Sequence, residues 1–400
     1  MSTFLLVTPP LVGHITPLVA VADRLAELGH RVCWAGEPAL VRKLAGEDAW
    51  VHPCDAGLAD VAERGAGLRG YAAVRFLWED FLLPLADATH AAVTDAAERT
   101  GADLVVADMQ ALAGPVAAAR LGIPWVTSAT TSGSLRDPFT TTPRIRQWLD
   151  GQFSDLIGRV SAGSVRTLTP ATLERSPHLV VAFTTEALAG PADPGGPPIL
   201  WAGPALRRRD APRGTVSGVE AFPWAWRDPS RPLVVVSLGT VDSAVGSEFL
   251  RASAEALRGL GACVQGIVAD PLGAITRPAD SVLTRPYLPM LRLLPHAAAV
   301  VCHAGHNTVC EALAHDLPLV VAPIRDDQPV VAQQIVDAGA GIRLHFRRAT
   351  PDLLAAAVTE ALADPCYARA ARRVGASFRV AGGAPAAADA LVGLAARGHA

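Results

Sequence analysis

A chain of 400 residues is longer than one hydrophobic core usually serves, so two domains are expected. Half of the residues are hydrophobic and 18% are charged, with 35 glycines and 32 prolines, a composition that suits a folded α/β protein and excludes a disordered chain. The net charge of −3 supplies no broad positive field, which argues against a nucleic-acid polymer as partner.

In chain order, Phe4 to Thr8 is a short apolar run that predicts a strand, and Leu18 to Leu28 has the periodicity of a helix. Pro9, Pro10, Gly13, His14 and Pro17 interrupt this apolar start, and no basic residues precede it, so it does not read as a secretion signal. Thr16 is expected to cap a helix beginning at Pro17, and Gly29 to end it. Arg31 to Ala35, Leu104 to Ala107, Trp125 to Ser128 and Leu179 to Ala182 continue the strand pattern, with Val116 to Leu121 between them as a helical stretch. Such alternation predicts a parallel sheet covered by helices. Between Gly190 and Trp226, proline, glycine and arginine displace apolar periodicity, and a linker is set at 206–230 after a first domain spanning 1–205. The arginine run at 207–209 reads as part of that solvated linker and not as a binding patch.

The rhythm then restarts with Leu233 to Leu238, Cys263 to Val268, Ala298 to Cys302, Leu317 to Ala322 and Ile342 to Phe346, predicting a second doubly wound domain over 231–380. The alanine-rich end, Pro365 to Ala400, is helical in pattern, and residues 381–400 are suited to pack back on the first domain. The six cysteines form no C-x-x-C pair and read as reduced core thiols, which points to a cytoplasmic protein. No stretch reaches the roughly 18 apolar residues that a membrane span requires. Neither half carries a G-x-G-x-x-G turn or a P-loop, which weighs against nicotinamide, flavin and P-loop NTPase chemistry.

The most informative stretch is CHAGHNTVCE, Cys302 to Glu311, which follows an apolar strand and opens a helix. Gly305 permits close backbone approach, the helix start attracts an anion, and His303, Asn307 and Thr308 can donate hydrogen bonds, a combination suited to a diphosphate. Glu311, one turn further on, can accept from two vicinal hydroxyls such as those of a ribose. A metal pair of His303 and His306 is the weaker reading, because no third ligand stands nearby.

At this stretch the sequence resembles the UDP-glycosyltransferase superfamily, and in particular the bacterial enzymes that glycosylate antibiotics and other natural products. The resemblance spans essentially the whole chain, with its specific motifs concentrated between Val234 and Gln328 and around His14. It implies the GT-B fold, an α/β architecture of two doubly wound Rossmann-like domains facing across a cleft. It also implies a donor site in which His303, Gly305, His306, Asn307 and Thr308 hold a diphosphate and Glu311 holds the ribose. Ser237, Gly239 and Thr240 in VVVSLGT would lie near the phosphates, Tyr287 and Leu288 in YLPM beside the base, and Asp327 and Gln328 in APIRDDQP at the sugar hydroxyls. Tyr287, Met290 and Val331 depart from residue types common in relatives, so the base and the detailed sugar contacts stay open.

The loop TPPLVGHITPL resembles the family segment whose histidine takes a proton from the acceptor, which assigns that role to His14. A histidine at a helix start is disfavoured as a cation, which keeps it available as a base. Asp108, ending the run DLVVAD, matches the family aspartate that orients this histidine, while Asp103 reads as a strand-boundary residue. Trp78, Phe81 and Phe139 lie where relatives line the acceptor pocket, although aromatic residues at such spacing are usually core. The implied reaction is an inverting transfer from a UDP- or dTDP-sugar to a small apolar aglycone, with no cofactor or metal and with a homodimer as candidate assembly. An epimerase of the same architecture and a non-catalytic donor-binding helper are the alternatives; oxygen, nitrogen or carbon could be the acceptor atom.

Overall fold

The computed structural model describes residues 1–54, 57, 64–65, 67–68, 70–161, 168–207, 222–239, 243–277 and 279–397. The chain divides into two compact units. One comprises Met1–Thr184, Pro191–Thr215 and Ala381–Ala400, and the other comprises Thr185–Gly190 and Val216–Val380.

The first unit is built on a parallel sheet of seven strands, β1 (Thr3–Val7), β2 (Arg31–Gly36), β3 (Val51–Pro53), β4 (Leu104–Asp108), β5 (Trp125–Ala129), β6 (Val180–Ala182) and β7 (Ile199–Trp201). Their spatial order is β3-β2-β1-β4-β5-β6-β7, so the direction of winding reverses between β1 and β4. Alternation of side chains along β1 divides the core between the two faces. Phe4 and Leu6 pack with the helices Val12–Glu27 and Gly383–Arg397, whereas Leu5 and Val7 pack with the helices Leu83–Thr100 and Ala113–Leu121. Buried on both faces, the strands read as continuous apolar runs, which is why they were legible.

The second unit repeats the plan with six parallel strands, β8 (Leu233–Ser237), β9 (Gln265–Ala269), β10 (Val282–Arg285), β11 (Ala299–Cys302), β12 (Leu319–Val321) and β13 (Gly341–Arg343). Their order is β10-β9-β8-β11-β12-β13, with winding reversed between β8 and β11. In open sheets of this kind, ligands bind at the carboxyl ends of the strands beside such a reversal.

Several expectations need correction. The first helix begins at Val12 and not at Pro17, with Leu11 as its N-cap, and the Thr16 hydroxyl donates to the Val12 carbonyl at 2.8 Å instead of capping. Pro17 sits inside that helix, giving up its own backbone donor while seven of its neighbours from Ile15 to Leu25 are buried. Tertiary packing of that apolar face outweighs the local stop signal. Gly29 does end the helix, at φ +80°, with its N–H and that of His30 returning to the last turn. The strands β3, β7 and β10, each at a sheet edge and only partly buried, escaped the periodicity reading. β7 lies within the proline- and glycine-rich stretch after Gly190, and Arg207 pairs with Asp23 at 2.9 Å, so neither is free linker. Most of the expected linker, residues 208–221, lies outside the described residues. Of the six cysteines, all are free, but only Cys33, Cys54, Cys302 and Cys310 are buried; Cys263 and Cys366 are exposed. Among the described residues, no helix is long and apolar enough to cross a membrane.

Candidate active site

Each sheet places a polar cluster at its own reversal. In the first unit, the chain leaves β1 through Pro9–Leu11 and enters the helix, which puts His14 in its first turn, while Asp108 closes β4 next door. The His14 Nδ1 lies 2.9 Å from Asp108 Oδ1. Asp108 is 2% exposed, yet its carboxylate is satisfied: the Gln110 N–H donates to Oδ1 at 2.9 Å and the Thr130 hydroxyl donates to Oδ2 at 2.7 Å. A buried carboxylate holding charge-assisted hydrogen bonds of this length is well fixed in orientation. Asp103, at the other end of β4, instead accepts from the Thr3 N–H at 2.7 Å and ties the starts of β1 and β4 together.

In the second unit, β8 ends at Ser237 and the chain turns at Gly239, whose N–H donates to the Ser237 hydroxyl at 3.2 Å. β11 ends at Cys302, and Ala304 then adopts a left-handed conformation at φ +65°, which brings Gly305 to the N-cap of the helix His306–Ala314. A left-handed alanine costs on the order of 1 kcal/mol, a strain that concentrates at functional turns. The imidazole of His303 is seated between the two turns. A Cβ on Gly305 would stand 2.4 Å from its Nε2, and one on Gly239 would stand 2.9 Å from its Cε1. Only glycine fits at either place.

Burial pushes the His303 ring down to about 4, with the neighbouring Asp327 carboxylate and the Ser237 backbone partly opposing this, so the ring is neutral near pH 7. Its Nδ1 is buried and makes no hydrogen bond of good geometry. Asn307 and Thr308 follow, half-buried, in the first helical turn, where backbone N–H groups and the helix dipole favour an anion. Glu311 keeps some exposure but stands in a densely walled recess, and that desolvation alone pushes its carboxyl up to about 7. Gln328 is buried, its Oε1 accepting from the Ile324 and Arg325 N–H groups at 2.9 and 3.1 Å. The two donors fix the orientation of the amide. His306 takes a different course: its Nε2 contacts Cys310 Sγ at 3.5 Å, one turn along the same helix and among core residues. Thr240 lies outside the described residues.

Comparison with known proteins bears on the fold and the family. Residues 264–388 match the family described as "Erythromycin biosynthesis protein CIII-like, C-terminal domain". The chain is 27% identical to the 4'-demethylrebeccamycin synthase of Lentzea aerocolonigenes over 91% of its own length and 92% of that protein. The fold is shared with the calicheamicin glycosyltransferase CalG4, with a TM-score of 0.77 at 22% identity over 98% of both chains. It is shared also with the glycosyltransferase VinC, solved in complex with dTDP, with a TM-score of 0.75 at 20% identity over 99% of this chain and 100% of that one. The chain has the GT-B fold, and the curated proteins it resembles are glycosyltransferases of natural products. The distribution of its other candidate residues follows from that architecture.

Tyr287 is 73% exposed on the loop after β10, an open aromatic face, while Leu288 is partly buried against the core of the second unit. Val331 is fully buried in that core, so its apolar character serves packing. In the first unit, Phe81 is buried, and Trp78 and Phe139 are half-buried; Trp78 meets Phe153 edge to face at 5.1 Å between ring centres. The aromatic residues are therefore principally core, with Trp78 and Phe139 retaining some accessible surface. Sequence reasoning missed Thr130, Gln110 and Ala304. Thr130 follows β5 in a run of small polar residues, Thr127 to Ser132, all but Ala129 polar and all buried, and that density of buried hydroxyls was the available signal. Among the described residues, no group of three or more His, Cys, Asp or Glu side chains is arranged to hold a metal ion.

Proposed function

We propose that this glycosyltransferase transfers a sugar, with inversion, from a dTDP- or UDP-sugar to a hydroxyl of a small apolar natural product. The observation that carries the reading is the His14–Asp108 pair at the β1/β4 reversal. Asp108 holds the Nδ1 side of the imidazole, so Nε2 takes the acceptor proton, and the carboxylate then stabilises the imidazolium that forms. The acceptor oxygen bonds to the anomeric carbon as the bond from that carbon to the diphosphate breaks. The departing negative charge is met by the His303 ring and by the backbone N–H groups at the start of the helix His306–Ala314, so no divalent ion is needed. Glu311 accepts the ribose hydroxyls, Tyr287 stacks on the base with the Leu288 backbone at its edge, and Asp327 with Gln328 Nε2 reads the sugar. An apolar acceptor packs against Trp78 and Phe139.

The likeness to the 4'-demethylrebeccamycin synthase supports a natural-product acceptor, and that to VinC, solved with dTDP, supports a nucleoside diphosphate donor, dTDP or UDP. The intact pair at His14 favours a transferase over an epimerase or a non-catalytic helper, neither of which needs an acceptor base. Calorimetric titration with dTDP and with UDP in the presence of chelator tests the donor half. His14→Ala tests the acceptor half: it should abolish transfer while leaving nucleotide affinity within about twofold of wild type. Full turnover by that variant would remove the proposed base.

A further inference from the structure

We infer that Thr130 is a positioning residue that, together with Asp108, holds the tautomer and the orientation of His14. The inference rests on the reading of His14 as the base. Thr130 is 3% exposed, and its Oγ1 lies 2.7 Å from Asp108 Oδ2 and 2.8 Å from His14 Nδ1. The same Nδ1 lies 2.9 Å from Asp108 Oδ1, closing a three-membered ring of contacts.

The protons in that ring can be assigned by elimination. Ionised Asp108 only accepts, and the hydroxyl has a single proton. If the hydroxyl donated to His14 Nδ1, two acceptors would face each other between Nδ1 and Asp108 Oδ1, and Oδ2 would lose its buried donor. The hydroxyl proton therefore goes to Asp108 Oδ2, and its oxygen accepts from Nδ1–H, which is shared between Thr130 and Asp108. Nδ1 must carry the proton, which leaves the lone pair on Nε2. Asp108 alone would permit the ring to pivot about one hydrogen bond. With Thr130 on one side of Nδ1 and the Gln110 N–H holding Oδ1 at 2.9 Å, both the carboxylate plane and the imidazole plane are set. When Nε2 gains the acceptor proton, the Thr130 oxygen shares with Asp108 the hydrogen bond from the cationic ring.

The test compares Thr130→Val, nearly isosteric but without the hydroxyl, with Thr130→Ser, which restores it. Turnover is followed with dTDP-glucose or UDP-glucose as donor and 4-methylumbelliferone as acceptor, alongside the 15N spectrum of histidine-labelled protein, which needs no acceptor. Thr130→Val should lower kcat by about ten- to a hundredfold, as expected for a misplaced base, with KM and nucleotide affinity within about twofold. Its His14 ring shifts should move toward a mixture of tautomers. Thr130→Ser should return both readouts to within about threefold of wild type. Unchanged ring shifts in Thr130→Val, or equal losses in both variants, overturn the inference. His14→Ala in the same assay separates the two ideas: if it remains active, the base is misassigned, whereas an inactive His14→Ala beside an unaffected Thr130→Val sinks only the role of Thr130.

Discussion

Glu311 shows how a single carboxyl can couple binding to pH. Its carboxyl is pushed up to about 7 by desolvation, yet only the ionised form can accept hydrogen bonds from two ribose hydroxyls. Nucleotide binding should therefore favour the carboxylate and release a proton, with affinity rising up to tenfold per unit as pH increases from about 6 toward 7, then levelling off. Calorimetry in buffers of different ionisation enthalpy reads that proton directly. The sign for stability is the opposite. A carboxyl raised above its unfolded value makes the free protein progressively less stable as pH rises from about 4.5 to 7, by up to about 3 kcal/mol. Glu311→Gln should remove that penalty, raising the melting midpoint at pH 8 while weakening dTDP or UDP binding; a variant that lost stability at pH 8 would contradict this account. The site residues were legible where they stand in contiguous motifs, as at 303–311. Thr130 was not, because its meaning arises only when β5 is laid beside β4 and the start of the first helix.

The turn that carries His303 depends on what is absent from its neighbours. Adding one methyl at Gly305 would place a carbon 2.4 Å from the ring nitrogen, so the imidazole or the helix start must shift. Gly305→Ala is expected to lower nucleotide affinity by at least about tenfold, a loss of roughly 1.4 kcal/mol, while leaving the far-ultraviolet circular dichroism unchanged. Affinity equal to wild type would mean that the ring does not take part in binding. Elements as a class were legible in proportion to their burial. β1, β4, β8 and β11, buried along their whole length, announced themselves as apolar runs. The partly buried edge strands β3, β7 and β10 did not, nor did the true start of the first helix, where local punctuation such as Pro17 is a weak term beside the packing of Leu18, Val21 and Leu25.

At the scale of the molecule, one plan is used twice: a sheet wound outward in both directions, with its polar cluster at the strand pair where winding reverses. Each unit has cores on both faces of its sheet, those of the first including the returning helix Gly383–Arg397, whose Ala384, Ala387, Ala388 and Leu391 are buried with Leu18 and Leu25. Leu391→Ala should thus cost the first unit about 2–5 kcal/mol while the second keeps its own core. Melting should shift, and at a temperature where the variant remains folded, dTDP or UDP affinity should stay at the wild-type value. An equal loss of nucleotide affinity would argue that the helix braces the second unit as well. The repeated α/β rhythm made this two-part plan readable, and the alanine-rich helical end, expected to pack back on the first domain, belongs to the first unit.

The route of the chain through these units has a consequence for biosynthesis. The second unit is threaded between parts of the first, so a ribosome that has finished β7 has not yet made a helix that helps to cover one face of β1. Throughout translation of the next 180 or so residues, at roughly 5–20 residues per second, that apolar face has only the helix Val12–Glu27 to cover it. The nascent first unit is thus the vulnerable half, exposed to chaperones and to aggregation for some ten to forty seconds, while the later-made half can close on itself first.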